Sequence, residues 1–378
     1  MSADRPATWL AMRLAFFVAG FGIAAWAPLV PFAKERLAVD EGVLGFLLLC
    51  LGLGSVLAML LTALLSARYG SKPIILIGGF SLTPILPCLV VADTPWALGA
   101  ALVAFGASLG AIDVAANICA VEVERAAKRP LMSGFHAQFS IGGFAGSAAM
   151  TILLWSNVGA FASTLICSSF MASVMVLTWS RLPQIAQAQR GVLFVMPHAI
   201  VVLLAVLAAI TFLIEGAILD WSALLLVDRG LVPKAQGGLG FMLFSISMTV
   251  GRLGGDSVVS RVGDRATLVV GSLMAVAGFA LLLAAPGAPF AMAGFLLIGL
   301  GSSNLVPILF RRAGTQKVMP AGLAVAAITT VGYAGLLVGP GFVGFLANLA
   351  GLPSAFALLA ALMCLVALSA RSVTIEAR

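Results

Sequence analysis

Twelve apolar stretches, each long enough to cross a lipid bilayer, alternate with short polar connectors along the chain. A helix needs about 20 largely apolar residues to cross the hydrocarbon core. The stretches are continuously apolar and lack the alternation of barrel strands, which indicates α-helices. Breaks in hydropathy place the predicted spans at residues 9–32, 42–66, 74–92, 96–121, 131–155, 159–180, 199–224, 238–260, 266–285, 289–310, 321–346 and 353–370. The pattern therefore predicts an all-α polytopic membrane protein with twelve transmembrane helices.

The first apolar stretch has a second interpretation. Arg5 and Arg13 precede residues 14–27, which resemble a secretory signal peptide with its cleavage site. We interpret the stretch as an uncleaved first helix, because the apolar run continues to Phe32 and many further spans follow.

Composition agrees with residence in a membrane. Of 378 residues, 62% are hydrophobic and 9% charged, with a mean hydropathy of +1.15. About a quarter of the residues of an ordinary soluble domain are charged. The connectors leave no room for a soluble output domain, which argues against a receptor.

The basic residues indicate the orientation. With a cytoplasmic N-terminus, seventeen of the twenty-one lysines and arginines fall in cytoplasmic segments, and the other four are Lys34, Arg36, Arg229 and Lys234. Because positive charge collects on the cytoplasmic side, we expect both termini inside, in a bacterial inner membrane. The net charge of +7 is then a topology signal and gives no indication of nucleic-acid binding.

The longest cytoplasmic connector divides the chain into two halves of six spans. We predict an N-terminal bundle at 1–181, a linker at 182–198 and a C-terminal bundle at 199–378. The second part of the linker, 192–196, is apolar and could lie along the membrane surface; a plain linker is the alternative.

Two short matches indicate that the halves are repeats. Arg68-Tyr69-Gly70 follows the second span as Arg261-Val262-Gly263 follows the eighth. Gly110–Asp113 in the fourth span aligns with Gly301–Asn304 in the tenth. We therefore expect two pseudo-repeated six-helix bundles, related as parallel repeats in one large transporter fold are.

The first loop motif resembles that of the major facilitator superfamily. Residues 68–72 resemble the second half of the superfamily motif G-x-x-x-D-R-x-G-R-K, although Ala63, Ala67 and Ser71 replace its first glycine, its aspartate and its second arginine. The segment 251–256, followed by 261–263, resembles the C-terminal counterpart and carries more charge. The resemblance implies gating roles for the following loop residues: Arg68, Gly70, Lys72, Arg252, Asp256, Arg261 and Gly263.

Three further segments indicate a particular branch of the superfamily. Asp113–Asn117, Phe135–Gly142 and Glu215–Trp221 resemble the YbjJ branch of that superfamily, which is distantly similar to fucose permease. The resemblance covers essentially the whole chain. It implies a transport activity and leaves the substrate open.

Acidic residues inside the predicted spans are the first candidates for chemistry, because a charged side chain there costs at least about 2.5–3.5 kcal/mol. Asp113 lies deep in the fourth span, with Asn117 one turn further on the same face. Gly106 and Gly110 share that stripe and permit close approach of a neighbouring helix. The pair is a candidate for substrate or proton binding, and an interhelical hydrogen-bond clamp is the alternative.

The seventh span carries two more acids, Glu215 and Asp220. Five residues separate them, so they point to different faces and do not predict one dicarboxylate site. Glu215 is a candidate for substrate binding or proton coupling; an ion pair is the alternative, limited by the scarcity of basic residues within the spans. Asp220, beside Trp221, is a candidate for an outer gate or a helix-end pair.

The remaining candidates are polar residues at three places. His136 and Gln138 open the fifth span, where a histidine could relay protons or form an interfacial hydrogen bond. Asn304 offers neutral groups to a polar solute, or a helix-packing contact. Arg252 and Asp256 are one turn apart and can neutralise each other, as a latch or as a structural pair.

The sequence shows no pattern typical of a metal site or a redox site. The five cysteines all fall in apolar runs with no C-x-x-C spacing, and His136 and His198 are the only histidines. We expect no cofactor and no metal.

These features favour a secondary transporter over other classes. We expect proton-coupled, alternating-access transport of a small polar solute, such as a sugar or a related metabolite, by a monomer in the lipid bilayer. An exporter of amphipathic compounds is the alternative within transport. A membrane-embedded enzyme would need a compact catalytic set that the sequence lacks, and a channel would not need buried protonatable groups.

Overall fold

The computed structural model describes residues 6–127, 131–183, 198–319 and 321–374. Within those ranges the chain forms α-helices and no strand, which confirms the all-α prediction. The helices are α1 (Pro6–Trp26), α2 (Val30–Leu37), α3 (Glu41–Tyr69), α4 (Ser71–Val91), α5 (Pro95–Ala127), α6 (Met132–Trp155), α7 (Ala160–Trp179), α8 (Ala199–Asp228), α9 (Leu239–Leu283), α10 (Ala288–Ser302), α11 (Leu305–Thr315), α12 (Ala321–Ala350) and α13 (Leu352–Thr374). Most of the predicted linker, 184–197, lies outside the described residues.

Eleven stretches of the described residues are long and apolar enough to cross a membrane. The twelfth predicted span is accounted for by α9, which has 45 residues and would be about 68 Å long if it were straight. That is about twice the thickness of a hydrocarbon core. Gly263, with φ of 82°, interrupts the helical backbone between the predicted spans 238–260 and 266–285. A left-handed φ favours glycine, and this explains Gly263 at the turn.

The predicted span 289–310 is covered by α10, which ends at Ser302, and α11, which begins at Leu305. Ser303 and Asn304 interrupt the helical hydrogen-bond pattern locally and keep right-handed helical backbone angles. Hydropathy could not show this interruption, since α10 and α11 together form one apolar stretch, Ala288–Thr315.

The chain divides into two compact units. Unit 1 contains the described residues of Met1–Asp40, Phe46–Gly191 and Pro233–Met242. Within it, α1 packs on α6 and α4 packs on α5. Lys234 forms an ion pair with Glu35 and lies 4.2 Å from the ring centroid of Phe32.

Unit 2 contains the described residues of Glu41–Gly45, Val192–Val232 and Leu243–Arg378. Its most extensive contact is between α8 and α12, and α8 also packs on α11 and α13.

An arginine makes the same contact in each unit. Arg36 donates hydrogen bonds to the carbonyl oxygens of Leu89 (2.8 Å) and Ala92 (2.9 Å). Arg229 donates to those of Leu282 (2.6 Å) and Ala285 (3.3 Å). In both units the acceptors lie 53 and 56 residues after the arginine. Each residue of the second set lies 193 positions after its counterpart, which supports the predicted repeat.

Close contacts at two glycines, one in each unit, are also 193 residues apart. A Cβ on Gly78 would lie 2.8 Å from the Ser108 oxygen, and one on Gly271, 193 residues later, 2.6 Å from the Gly301 oxygen. This register pairs Gly110 with Ser303. The sequence alignment of Gly110 with Gly301 was therefore wrong by two residues, because a small-residue pattern is too regular to fix a register.

Candidate functional site

An ion pair lies inside the helical spans of unit 2. Glu215 is contributed by α8 and Arg252 by α9, and Arg252 Nη2 is 3.3 Å from Glu215 Oε1. The side chain of Glu215 is 18% exposed and that of Arg252 is 34% exposed. Each charge offsets the cost of placing the other in a span.

Arg252 also contacts the interruption between α10 and α11. A helix end leaves carbonyl groups without intrahelical donors. The Ser303 carbonyl lies at this end and accepts a hydrogen bond from Arg252 Nε at 3.3 Å. A broken helix inside a membrane protein is tolerated where other groups satisfy its backbone, and here a charged side chain does so.

Asn304 binds α9 on the other side of the same interruption. Its Nδ2 donates to the Gly251 carbonyl (3.1 Å) and to Ser303 Oγ (3.0 Å). A Cβ on Gly255 would collide with Asn304 Oδ1, and one on Gly251 would collide with Ser303 Oγ. Glycine at both positions lets α9 approach the interruption closely enough for these bonds.

We call Glu215, Arg252, Ser303 and Asn304 the Glu215 cluster. The sequence predicted Glu215 and Asn304 as site residues. In the structure Glu215 bonds to Arg252, and Asn304 bonds to Ser303, whose carbonyl group binds Arg252. The sequence assigned Arg252 to a loop motif and paired it with Asp256, whose side chain lies outside the description. The structure pairs Arg252 with Glu215, 37 residues away, and the pair with Asp256 stays a prediction. The structure thus contains the ion pair that was the alternative for Glu215, and a binding or coupling role of Glu215 stays a prediction.

Unit 1 places Asp113 and Asn117 together, as the spacing predicted. Asn117 Nδ2 donates to the Asp113 carbonyl (2.9 Å) and to Asp113 Oδ1 (3.2 Å). A Cβ on Gly106 or on Gly110 would collide with the backbone of α3, which confirms the close approach predicted for that stripe. Here α5 is continuous from Pro95 to Ala127, whereas the corresponding helix of unit 2 is interrupted.

His136 and Gln138 lie near the start of α6. His136 is exposed, with its ring 5.2 Å from that of Phe16, and Gln138 is half-buried. The position of His136 fits an interfacial histidine, and a proton relay stays a prediction.

Asp220 differs from the other intramembrane acids. It is buried, with 7% of its surface exposed. Among the described residues, no hydrogen bond or ion pair reaches it. The predicted helix-end ion pair is therefore not formed within the described part of the chain.

The loop residues form two similar turns. Gly70, with φ of 83°, follows α3, and Gly263 has φ of 82°. Arg68 lies 5.2 Å from the ring centroid of Tyr69, Lys72 is half-buried and Arg261 is exposed.

The sequence missed the acid that organises the second turn. Asp264 pairs with Arg311 at 2.9 Å and with Arg312 at 2.7 Å. Its position directly after the Arg-x-Gly motif was the available signal.

Apolar spans in two helical units and a charge pair inside the spans are typical of a polytopic membrane transporter. The profile of the Major Facilitator Superfamily matches residues 12–318, and the chain belongs to that family. Its members are transporters and not enzymes.

Relatives and solved structures agree with this assignment. The chain is 47% identical over 364 residues to an uncharacterized MFS-type transporter of Yersinia pestis, covering 96% of this chain and 94% of the relative. A mutant of the nucleoside transporter NupG has a TM-score of 0.79 at 13% identity, over 97% of this chain and 100% of that one. A D-xylose-proton symporter has a TM-score of 0.76 at 14% identity, over 98% of each chain. The bacterial relative indicates a bacterial membrane, and the structural likenesses show the fold.

Proposed function

We propose that the protein is a proton-coupled secondary transporter of a small polar solute, sugar-like or a related metabolite. It works by alternating access in the bacterial inner membrane with both termini in the cytoplasm. The observation that carries the proposal is the Glu215 cluster, a partly exposed ion pair beside an interrupted helix.

The chemistry of the cluster suits a polar solute. Arg252 has five N–H donors in a planar fork, and its described bonds to Ser303 and Glu215 use two of the nitrogens. The remaining donors, together with the Glu215 carboxylate, can bind hydroxyl and carbonyl groups. A cluster of this kind favours a polar solute over the amphipathic compounds of the alternative function.

Proton coupling rests on the acids inside the spans. Asp113, Glu215 and Asp220 are the candidates, because a carboxyl group in a span can be neutral in one conformation and charged in another. The D-xylose-proton symporter and the nucleoside transporter among the structural neighbours support polar cargo for this fold.

The test is a panel of pentoses, hexoses, polyols and nucleosides on the purified protein. Thermal shift identifies a binding solute, and uptake into proteoliposomes is then measured with and without a pH gradient. We expect accumulation only with the gradient. Equal uptake without the gradient would contradict proton coupling.

Three variants test the site. Arg252→Gln should abolish both the thermal shift and the uptake. Arg252→Lys keeps the charge without the planar fork and should fold but bind the solute weakly. Asp93→Asn removes an exposed carboxylate and serves as the matched control, which should behave as the wild type. An undiminished thermal shift in Arg252→Gln would show that the solute binds elsewhere.

A further inference from the structure

Asp220 is a buried acid without a described partner. Only 7% of its surface is exposed, and no described side chain or backbone group bonds to its carboxyl group. In the next two residues of α8, Trp221 Nε1 and Ser222 Oγ are fully buried and have no hydrogen-bond partner in the described structure. Three successive polar groups in one span are therefore unpaired in this conformation.

The surroundings of Asp220 are the apolar contact between α8 and α12. Gly216 lies one turn before Asp220, and a Cβ there would be 2.8 Å from Leu336 Cδ1. Trp221 follows Asp220, and its Cζ2 atom would be 3.0 Å from a Cβ on Gly344. Asp220 thus lies between two turns that pack directly on α12.

A proline in α12 leaves a carbonyl acceptor at the level of Gly216, one turn from Asp220. Pro340 lies inside α12 and has no N–H. The Leu336 carbonyl, four residues earlier, therefore lacks its helical donor. That carbonyl oxygen would be 3.5 Å from a Cβ on Gly216, one turn from Asp220. A protonated carboxyl group at Asp220 has an O–H to donate, whereas a carboxylate does not.

The charged and titratable groups around α8 offer Asp220 no described partner. On α8 itself they are Glu215 and Asp228; on the packed elements they are Arg252, Arg311, Arg312, Tyr333, Cys364, Arg371 and, at the start of α3, Glu41. The side chain of Tyr333 lies outside the described structure. Arg252 is bound to Glu215, and Arg311 and Arg312 are bound to Asp264. Between residues 321 and 350, α12 contains no Asp, Glu, Lys, Arg or His. An unpaired carboxylate in such a site is costly, and the group becomes neutral instead.

We propose that Asp220 is protonated in this conformation and carries the coupling proton, while the Glu215 cluster binds the solute. This inference rests on the proposed function, since it names the group that couples transport to protons. The carboxylate takes a proton from water on one side of the membrane, and its O–H bond forms. When the conformation changes and water reaches Asp220 from the other side, that bond breaks and water accepts the proton.

The first experiment needs no solute. Dicyclohexylcarbodiimide, an apolar reagent, adds to protonated carboxyl groups within membranes and leaves a stable N-acylurea. On the purified wild type, peptide mapping by mass spectrometry should find the adduct on Asp220, decreasing as the pH is raised. Glu215, which is paired with Arg252, should react less than Asp220. Modification of Glu215 with none on Asp220 would overturn the proposal.

The second experiment uses the panel solute that the wild type accumulates, in radiolabelled form. Asp220→Asn should exchange this solute across the proteoliposome membrane at the wild-type rate but lose gradient-driven accumulation at least tenfold. Arg252→Gln should lose both activities. Accumulation by Asp220→Asn at the wild-type level would overturn the role of Asp220 and leave the proposed function intact. If uptake by the wild type did not depend on the pH gradient, both proton-coupled transport and the coupling role of Asp220 would be overturned.

Discussion

Unit 1 and unit 2 share a scaffold and differ in their chemistry. Arg36 and Arg229 bind the same two positions at the ends of equivalent helices, and Gly78 and Gly271 make equivalent close contacts. Yet α5 in unit 1 is continuous, while the equivalent span of unit 2 is interrupted at Ser303. The shared contacts are those that hold helices together.

The difference is the basis on which we propose where the working groups lie. In unit 1, Asp113 is bonded to Asn117 on its own helix. In unit 2, Glu215 is bonded to Arg252 on another helix, and the interruption supplies a carbonyl group to the same arginine. We infer that duplication preserved the scaffold, and that the solute-binding chemistry is concentrated in unit 2.

The largest effect is expected from breaking the charge pair of unit 2. Glu215→Gln leaves Arg252 without its counter-charge. Removing one partner of a buried ion pair costs about 3–5 kcal/mol. Because both side chains are partly exposed, we expect a loss of unfolding free energy between that range and the ~1 kcal/mol of an exposed pair. Thermal unfolding in detergent, with Arg371→Gln at an exposed position of α13 as the control, measures it.

The double variant separates stability from function. Glu215→Gln combined with Arg252→Gln removes both charges and should recover most of the stability lost by the single change. It should not recover solute uptake, because the donors of Arg252 are gone. Full uptake by the double variant would contradict the solute-binding role of the cluster.

The next largest effect is expected at Gly255. A Cβ there collides with Asn304 Oδ1, so Gly255→Ala should displace Asn304 and break its bond to Gly251. A lost hydrogen bond with a buried group left unpaired costs about 1–3 kcal/mol. Solute affinity should fall as well, which the thermal shift with the panel solute measures.

The neighbouring glycine is the matched control. Gly254 lies in the same helix and has nothing within 4 Å of its added Cβ. Gly254→Ala should leave solute binding unchanged and stabilise the helix by up to about 1 kcal/mol. Equal losses of affinity in the two variants would show that α9 as a whole, and not the position of Asn304, is responsible.

The shared scaffold predicts equal effects of two arginine substitutions. Arg36→Gln and Arg229→Gln each remove two charge-assisted hydrogen bonds to carbonyl groups. Each such bond contributes about 1.5–3 kcal/mol when buried, and partial exposure moves the expectation to the low end. Thermal unfolding should show similar losses. A loss confined to one variant would contradict the equivalence of the two contacts.

The smallest effect is expected from Asp113→Asn in unit 1. Asparagine keeps a side-chain oxygen that can accept the bond from Asn117, so this bond should survive the substitution. Gradient-driven uptake should continue. If Asp113→Asn lost accumulation of the solute but exchanged it normally, the coupling role would be assigned to Asp113 and not to Asp220.

The fold could be predicted because each span is a property of local sequence. The predicted 131–155 and the observed α6, Met132–Trp155, differ by one residue at the start. Apolar length decides such an element without reference to its neighbours. The turn at Gly263 was also predictable, since Arg-x-Gly occurs in both halves.

The site could be predicted only in part. Glu215, Asp220 and Asn304 stood out as polar residues within apolar runs. The partner of Glu215 did not, because Arg252 is on another helix and the pairing depends on how α8, α9 and the α10–α11 interruption pack. Helix packing also decides whether Asp220 has a partner, so the sequence could not predict that none of the described residues bonds to it.

The most direct measurement compares gradient-driven uptake of the panel solute by Arg252→Gln and Asp113→Asn, in proteoliposomes prepared side by side with the wild type. Our account predicts that Arg252→Gln loses uptake and that Asp113→Asn retains it. Retention by Arg252→Gln together with loss by Asp113→Asn would contradict the assignment of solute binding to unit 2.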